Sequence, residues 1–143
     1  MLIADLLKHK GSGVVTVGPD DGLRQVLASL AEHRVGALVV LDSGQVVGIL
    51  SERDIVRRLN DDGAGVLERT VTEVMTSPVV SCTPADTVES VAGLMTERRF
   101  RHMPVLQDGA LVGIVTIGDV VAARIRQLES DRGQLESYIA QGG

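Results

Sequence analysis

The sequence predicts a mixed α/β (α+β) fold built from two copies of one β-α-β-β-α unit, packed sheet to sheet and followed by a C-terminal helical extension. Three observations carry this. Residues 15–59 lie over residues 80–124 without a gap at a constant offset of 65. Within each copy the apolar spacing changes from helical to strand-like in the same order. At that offset Pro19 meets Pro84, Gly44 meets Gly109, Gly48 meets Gly113 and Asp54 meets Asp119. Recurring periodicity alone does not fix loop lengths and glycines together, so duplication is the better account.

Each copy opens on a β-rich piece, residues 14–17 and 79–82, leading into a turn at Pro19 or Pro84. Leu23, Val26, Leu27 and Leu30 then recur at helical spacing, as do Val88, Val91, Leu94 and Met95, giving helices with one apolar face. Apolar runs at 37–41 and 46–50 flank a polar turn with Gly44, and runs at 102–106 and 111–115 flank one with Gly109; both read as hairpins. Residues 51–59 and 116–128 read as helices that open directly from the last strand. Residues 60–72 are polar and Gly-containing and read as a linker, with Val74 and Met75 leading into copy two. The division is a first motif at 1–66, a second at 67–127 and a helical tail at 128–143, the two motifs forming one module because about 60 residues bury too little surface alone. Past Gly118, Val121, Ile125, Leu128, Leu135 and Ile139 step by four and three into the tail, with Arg132 at the polar seam position. The expectation is docking on its own module or on a dimer mate. Gly11-Ser12-Gly13 reads as a turn, since no helix follows at phosphate-loop spacing.

Composition narrows function. The chain has 143 residues, 44% of them hydrophobic and 23% charged, in the range of a folded domain. Phe100 and Tyr138 are its only aromatics and the formal charge is -5, so neither stacking platforms nor a basic footprint argue for nucleic acid or an anionic membrane. No apolar run approaches a membrane span and no signal-peptide pattern opens the chain. Cys82 is the one cysteine, which excludes an intrachain disulfide and fits a reducing cytoplasm; aligned with Val17, it reads as a small buried hydrophobe. His9, His33 and His102 have no metal-ligand spacing, and no nucleophile or acid-base pair stands out, so the sequence reads as non-catalytic.

Three segments carry chemistry. Ser51-Glu52-Arg53-Asp54 and Thr116-Ile117-Gly118-Asp119 each follow a Gly-apolar-apolar strand end and open a helix, with a hydroxyl three residues before an acid. Alone, either is a capping box. Twice at matching positions, the same helix N-terminus offers N–H groups, a hydroxyl and a carboxylate to a cleft, a donor and acceptor set suited to a ribose diol and a nearby phosphate. Arg98, Arg99, Arg101 and His102 form the densest positive cluster. Such a run ordinarily complements a helix C-terminus, but copy one has Gly36 and Ala37 opposite Arg101 and His102, so the fold does not demand it. Facing the groove, Arg101 and His102 would clamp phosphate, joined by Arg53.

These features together resemble the tandem cystathionine-β-synthase (CBS) motif pair, or stand-alone Bateman module: the duplicated units, the endings Gly48-Ile49-Leu50-Ser51-Glu52-Arg53-Asp54 and Gly113-Ile114-Val115-Thr116-Ile117-Gly118-Asp119, and Arg99-Phe100-Arg101-His102-Met103-Pro104-Val105. The resemblance spans roughly residues 14–125. It implies clefts between the motifs for AMP, ADP, ATP, S-adenosylmethionine or NAD, with no cofactor required. In that setting Asp54 and Asp119 would hold ribose hydroxyls with Ser51 and Thr116 assisting, Arg101, His102 and Arg53 would reach phosphate, and Thr16 and Ser81 would lie near adenine or ribose. It further implies a disc-shaped homodimer that reports energy or cofactor status. With the motifs filling the sequence, the expected partner is a separate effector protein acted on in trans.

The asymmetry at Gly36-Ala37 and at Arg53 opposite Gly118 predicts unequal clefts, with Thr116 and Asp119 expected as the better-equipped ribose site. Against the sensor reading stand a ligand-free structural dimerisation scaffold, in which the duplicated segments are caps only, and an enzyme using NAD as cosubstrate, which the lack of an acid-base pair disfavours.

Overall fold

The computed structural model describes residues 1–11 and 13–142, so the turn expected at Gly11-Ser12-Gly13 falls partly outside the described residues, at Ser12. In chain order the elements are α1 (Ile3–Lys10), β1 (Thr16–Val17), α2 (Leu23–His33), β2 (Ala37–Asp42), β3 (Gln45–Ser51), α3 (Glu52–Asp62), a 3-10 turn (Ala64–Glu68), α4 (Val71–Val74), α5 (Val88–Arg98), β4 (His102–Gln107), β5 (Ala110–Thr116) and α6 (Ile117–Ala140). They form one three-stranded sheet, β1-β2-β3, and one two-stranded sheet, β4-β5, which meet along β3 and β5.

The repeat extends to local backbone detail. Ser43 and Gly44 take φ of 52° and 81°, Asp108 and Gly109 take 52° and 82°, the left-handed pair that a two-residue hairpin turn requires. Both hairpins carry a bulge at the same place, between Val40 and Leu41 and between Val105 and Leu106. Each then delivers its last residue as the N-cap of a helix, Ser51 for α3 and Thr116 for α6.

The strand expected at 79–82 is reduced to a single parallel bridge, Cys82 to Val105. In copy one the Val39 N–H donates to the Val15 carbonyl at 3.3 Å, whereas the equivalent residue in copy two is Pro104, which has no N–H. Only the flanking bonds remain, Cys82 N–H to Pro104 O at 3.0 Å and Leu106 N–H to Cys82 O at 2.8 Å.

Packing crosses the 66/67 boundary drawn from the repeat. The segment expected as a linker is docked structure: Val66, Val71 and Val74 are buried in the core of copy one with Leu23, Leu38 and Leu50. Helix α1 lies in the core of copy two, where Ile3, Leu6 and Leu7 pack with Val88, Met103 and Val115. Each buried aliphatic of this size contributes roughly 1.5–3 kcal/mol, so the terminal helix is a structural member of copy two. The two crossings use the same contacts. Val71 N–H meets Asp21 O at 2.9 Å and Thr72 N–H meets Pro19 O at 3.0 Å; Ile3 N–H meets Asp86 O at 2.8 Å and Ala4 N–H meets Pro84 O at 3.0 Å.

The extension after β5 is one continuous helix through Ala140. Its apolar series does not dock on its own module: Leu128, Leu135, Tyr138 and Ile139 are exposed. Among the described residues no helix is long and apolar enough to cross a membrane.

Candidate functional site

Two pseudo-equivalent helix starts lie at the junction of the sheets. At the first, the Ser51 hydroxyl accepts the Asp54 N–H at 3.2 Å, and the Asp54 carboxylate accepts the Ser51 N–H at 3.0 Å and the Ser51 hydroxyl at 2.9 Å. At the second, Thr116 Oγ1 accepts the Asp119 N–H at 3.1 Å and the Asp119 carboxylate accepts the Thr116 N–H at 2.9 Å. Both are full capping boxes, so these residues hold the helix starts whatever else they do.

A cavity of about 350 Å³, within the range of small-molecule sites, opens beside the first of these. Ser51, Asp54, Arg53 and Arg57 line one side from β3 and α3; Arg98, Arg99, Phe100, Arg101 and His102 line the other from the end of α5 and the start of β4. Gly36 forms part of the wall: a Cβ there would stand 3.1 Å from Glu52 Oε1 and 3.3 Å from His102 Nε2. The absence of a side chain keeps the cleft open at that point. Five arginines face two acids, Glu52 and Asp54, so the cavity is electropositive with one carboxylate-hydroxyl pair at its edge. Chemically it can hold a diol at Ser51 and Asp54 while forked guanidinium donors meet phosphate oxygens.

Of the residues expected at a site, Ser51, Asp54, Arg53, Arg101 and His102 come together in this one cavity. Thr116 and Asp119 do not line it. The second repeat, expected to be the better-equipped ribose site, has its carboxylate ion-paired with Lys10 of α1, while the arginines gather at Asp54. Thr16 is exposed on β1 and lines neither cavity; Ser81 lines a separate cavity of about 390 Å³ with Val46, Val47, Pro78 and Leu106. The sequence reading missed Arg57, whose position one helical turn after Arg53 was its only signal. It also missed Lys10, for which no local signal exists.

His102 sits between the two helix starts: it lines the arginine cleft and is paired in register with Thr116. Its pKa is lowered from 6.5, first by burial and then by the Lys10 and Arg101 charges, against an upward pull from Glu52 and Asp119. The imidazole is therefore biased neutral. For Asp119 burial pulls upward, but the Lys10 hydrogen bond and the N–H and hydroxyl of Thr116 outweigh it and hold the carboxyl below 3.8. Cys82 is buried, its thiol pushed up to about 12 by burial first and the Asp86 charge second. It is an inert core residue.

Paired hairpin-helix repeats with a polar cleft at their junction define the class of module to which this fold belongs. The chain belongs to the CBS-domain family: the family model described as CBS domain matches residues 4–61 and 71–126. It is 35% identical over 150 residues to the mitochondrial CBS domain-containing protein CBSX3 of Arabidopsis thaliana, covering 99% of this chain and 72% of that relative. It is 34% identical to CBS domain-containing protein YhcV of Bacillus subtilis, covering 75% of this chain and 76% of the other. Among solved structures, the CBS-domain protein ATU1752 of Agrobacterium tumefaciens superposes with a TM-score of 0.84 at 45% identity, over 87% of this chain and 99% of that one. The CBS domain pair of protein MJ0100, solved in complex with 5′-methylthioadenosine and S-adenosyl-L-methionine, gives 0.79 at 26% identity, over 89% and 98%.

Proposed function

We propose that this chain is a non-catalytic regulatory module that binds an adenosine phosphate in the cleft between its two CBS motifs and signals its occupancy to a separate partner protein. The observation that carries the reading is the cleft itself, where the Ser51-Asp54 pair stands opposite Arg98, Arg99, Arg101 and His102. MJ0100 supports the adenosyl part, since that CBS pair holds two adenosine derivatives. The five arginines supply the rest. A sulfonium cation gains nothing from them, whereas AMP, ADP, ATP or the pyrophosphate of NAD meets forked donors, so phosphate-bearing adenylates rank above S-adenosylmethionine here.

The exposed stripe on α6, with Val121 its repeat mate of exposed Val56 on α3, supports a homodimer. It is also the feature that favours the competing reading, a ligand-free dimerisation scaffold. The compartment we favour is the cytoplasm, although one relative is a mitochondrial protein.

A thermal-shift panel of AMP, ADP, ATP, NAD, NADH and S-adenosylmethionine, with GTP as base control, tests this. A ligand at about 100 times its Kd stabilises by about 2.7 kcal/mol, a rise of roughly 5–11 °C for a chain of this size. The expected result is a shift with adenylates, absent with GTP and lost in Asp54→Ala. No shift at millimolar concentration leaves the scaffold.

A further inference from the structure

The two ribose-type acids are repeat mates with the same cap geometry, yet their remaining partners differ. The Asp54 carboxylate takes the Ser51 hydroxyl, and among the described residues it forms no ion pair. The Asp119 carboxylate takes the Lys10 ammonium instead. The neighbouring carbonyls tell the same story. In copy one the Ile49 carbonyl accepts the Thr76 N–H at 2.9 Å, closing a backbone bridge. In copy two its mate, the Ile114 carbonyl, accepts Lys10 Nζ at 2.7 Å. One side chain thus serves two acceptors at the second helix start, where the first uses backbone for one and leaves the other facing the cavity.

Lys10 is aimed there by the fold. It stands in the last turn of α1, whose Ile3, Leu6 and Leu7 are buried in the core of copy two, and its side chain is only 27% exposed beside an Asp119 at 23%. A solvated surface lysine would be neither held nor shielded in this way.

We propose that Lys10 is a built-in occupant of the second ribose position, and that it restricts adenylate binding to the cleft at Ser51 and Asp54. A diol donates its protons to a carboxylate; an ammonium already donating to the same oxygen competes for it directly and neutralises it. Displacing a charge-assisted, partly shielded bond of this kind weakens binding by about 10- to 100-fold. The inference rests on the adenylate reading of the first cleft.

Isothermal titration of the full chain with AMP tests it, using wild type, Asp54→Ala, Lys10→Met and Lys10→Met/Asp119→Asn, each checked for native circular dichroism. Methionine keeps the apolar stem of the lysine and removes the charge. Wild type is expected to bind one AMP per chain, lost in Asp54→Ala. Lys10→Met is expected to bind a second, lost again in the double variant. Two sites in wild type, or a single unchanged site in Lys10→Met, overturns the role of Lys10 and leaves the first cleft standing. Weaker binding in Lys10→Met makes the lysine a phosphate contact and also overturns it. Silence in wild type with one Asp119-dependent site in Lys10→Met upholds the role of Lys10 and defeats the first cleft. Silence in every variant defeats both.

Discussion

Leu7 stands where a side chain on Gly113 would have to go: a Cβ built on Gly113 falls 2.8 Å from Leu7 Cδ2 and 3.2 Å from Cδ1. Its repeat mate, Gly48, is closed in the same way by Met75 and by the Thr76 carbonyl at 3.2 Å. The glycines therefore mark where each crossing segment lies flat on a strand. Gly113→Ala is expected to lower stability by about 1–3 kcal/mol, read as a lower urea midpoint. An unchanged midpoint would mean that Leu7 moves aside and α1 is not pinned there.

Arg34 ends α2 in the left-handed region, at φ 54°, with its N–H on the Leu30 carbonyl. A side chain there costs about 1–2 kcal/mol, partly offset by the extra freedom glycine has when unfolded. Arg34→Gly is expected to stabilise by on the order of 0.5 kcal/mol, the difference of those two effects. A fall in melting temperature would show that the arginine makes compensating contacts. Arg99, at φ 57°, is its mate but lines the cleft, so the same change there also removes one of the cleft's arginines.

What the sequence disclosed were features set by neighbours: hairpin turns at Ser43-Gly44 and Asp108-Gly109, caps at Ser51 and Thr116, and the helical faces of α2 and α5. The repeat offset placed Asp54 and Asp119 correctly as mates. The asymmetry at Gly36-Ala37 and Arg53 predicted unequal clefts, but not the pairing of Asp119, because that depends on Lys10, 109 residues before Asp119 in the chain and outside the stretch the repeat offset covers. The failed strand at 79–82 was legible in principle: Pro104 opposite Val39 removes the donor a second rung needs. The linker reading of 60–72 failed because Val66-Leu67 and Val71 are short apolar interruptions of a polar stretch, and only the first core makes Val66 and Val71 buried.

His102 gives the cleft a proton signature. Its pKa lies below 6.5 in the free protein through burial and the Lys10 and Arg101 charges, and a bound phosphate would raise it. Adenylate binding is therefore expected to draw protons onto His102 as pH falls below its ordinary 6.5, and His102→Ala to reduce the uptake. Titrations in buffers of different ionisation enthalpy measure it; equal apparent enthalpies in all buffers would remove His102 from the phosphate site. For stability the sign runs the same way: the unfolded imidazole gains a proton near 6.5 while the folded one resists, so stability falls as pH drops below that value.

Cys82, buried with its thiol pushed up to about 12, is expected to resist Ellman's reagent at pH 8 in the native protein and to react at once in urea. Because the folded thiol keeps its proton where the unfolded one loses it, stability is expected to decline as pH rises above about 9. Rapid native labelling would contradict the burial.

The Lys10-Asp119 pair makes an independent claim on the acid limb of stability. Burial works against the Asp119 carboxylate, yet the Lys10 ammonium and the Thr116 donors hold its folded pKa below 3.8. A depressed folded pKa contributes stability that is fully present above the unfolded value and disappears as pH falls through the folded one. Lys10→Met removes the ammonium, so its cost is expected to be about 1 kcal/mol at pH 7, the size of a partly shielded pair, and to be smaller at pH 2, because protonation of the carboxyl on the way down removes the charge the lysine pairs with. Urea midpoints of wild type and Lys10→Met at the two pH values measure this. A cost independent of pH would assign the loss to the packing of the lysine stem rather than to its charge, and the ion pair would then contribute little to holding α1 against the start of α6.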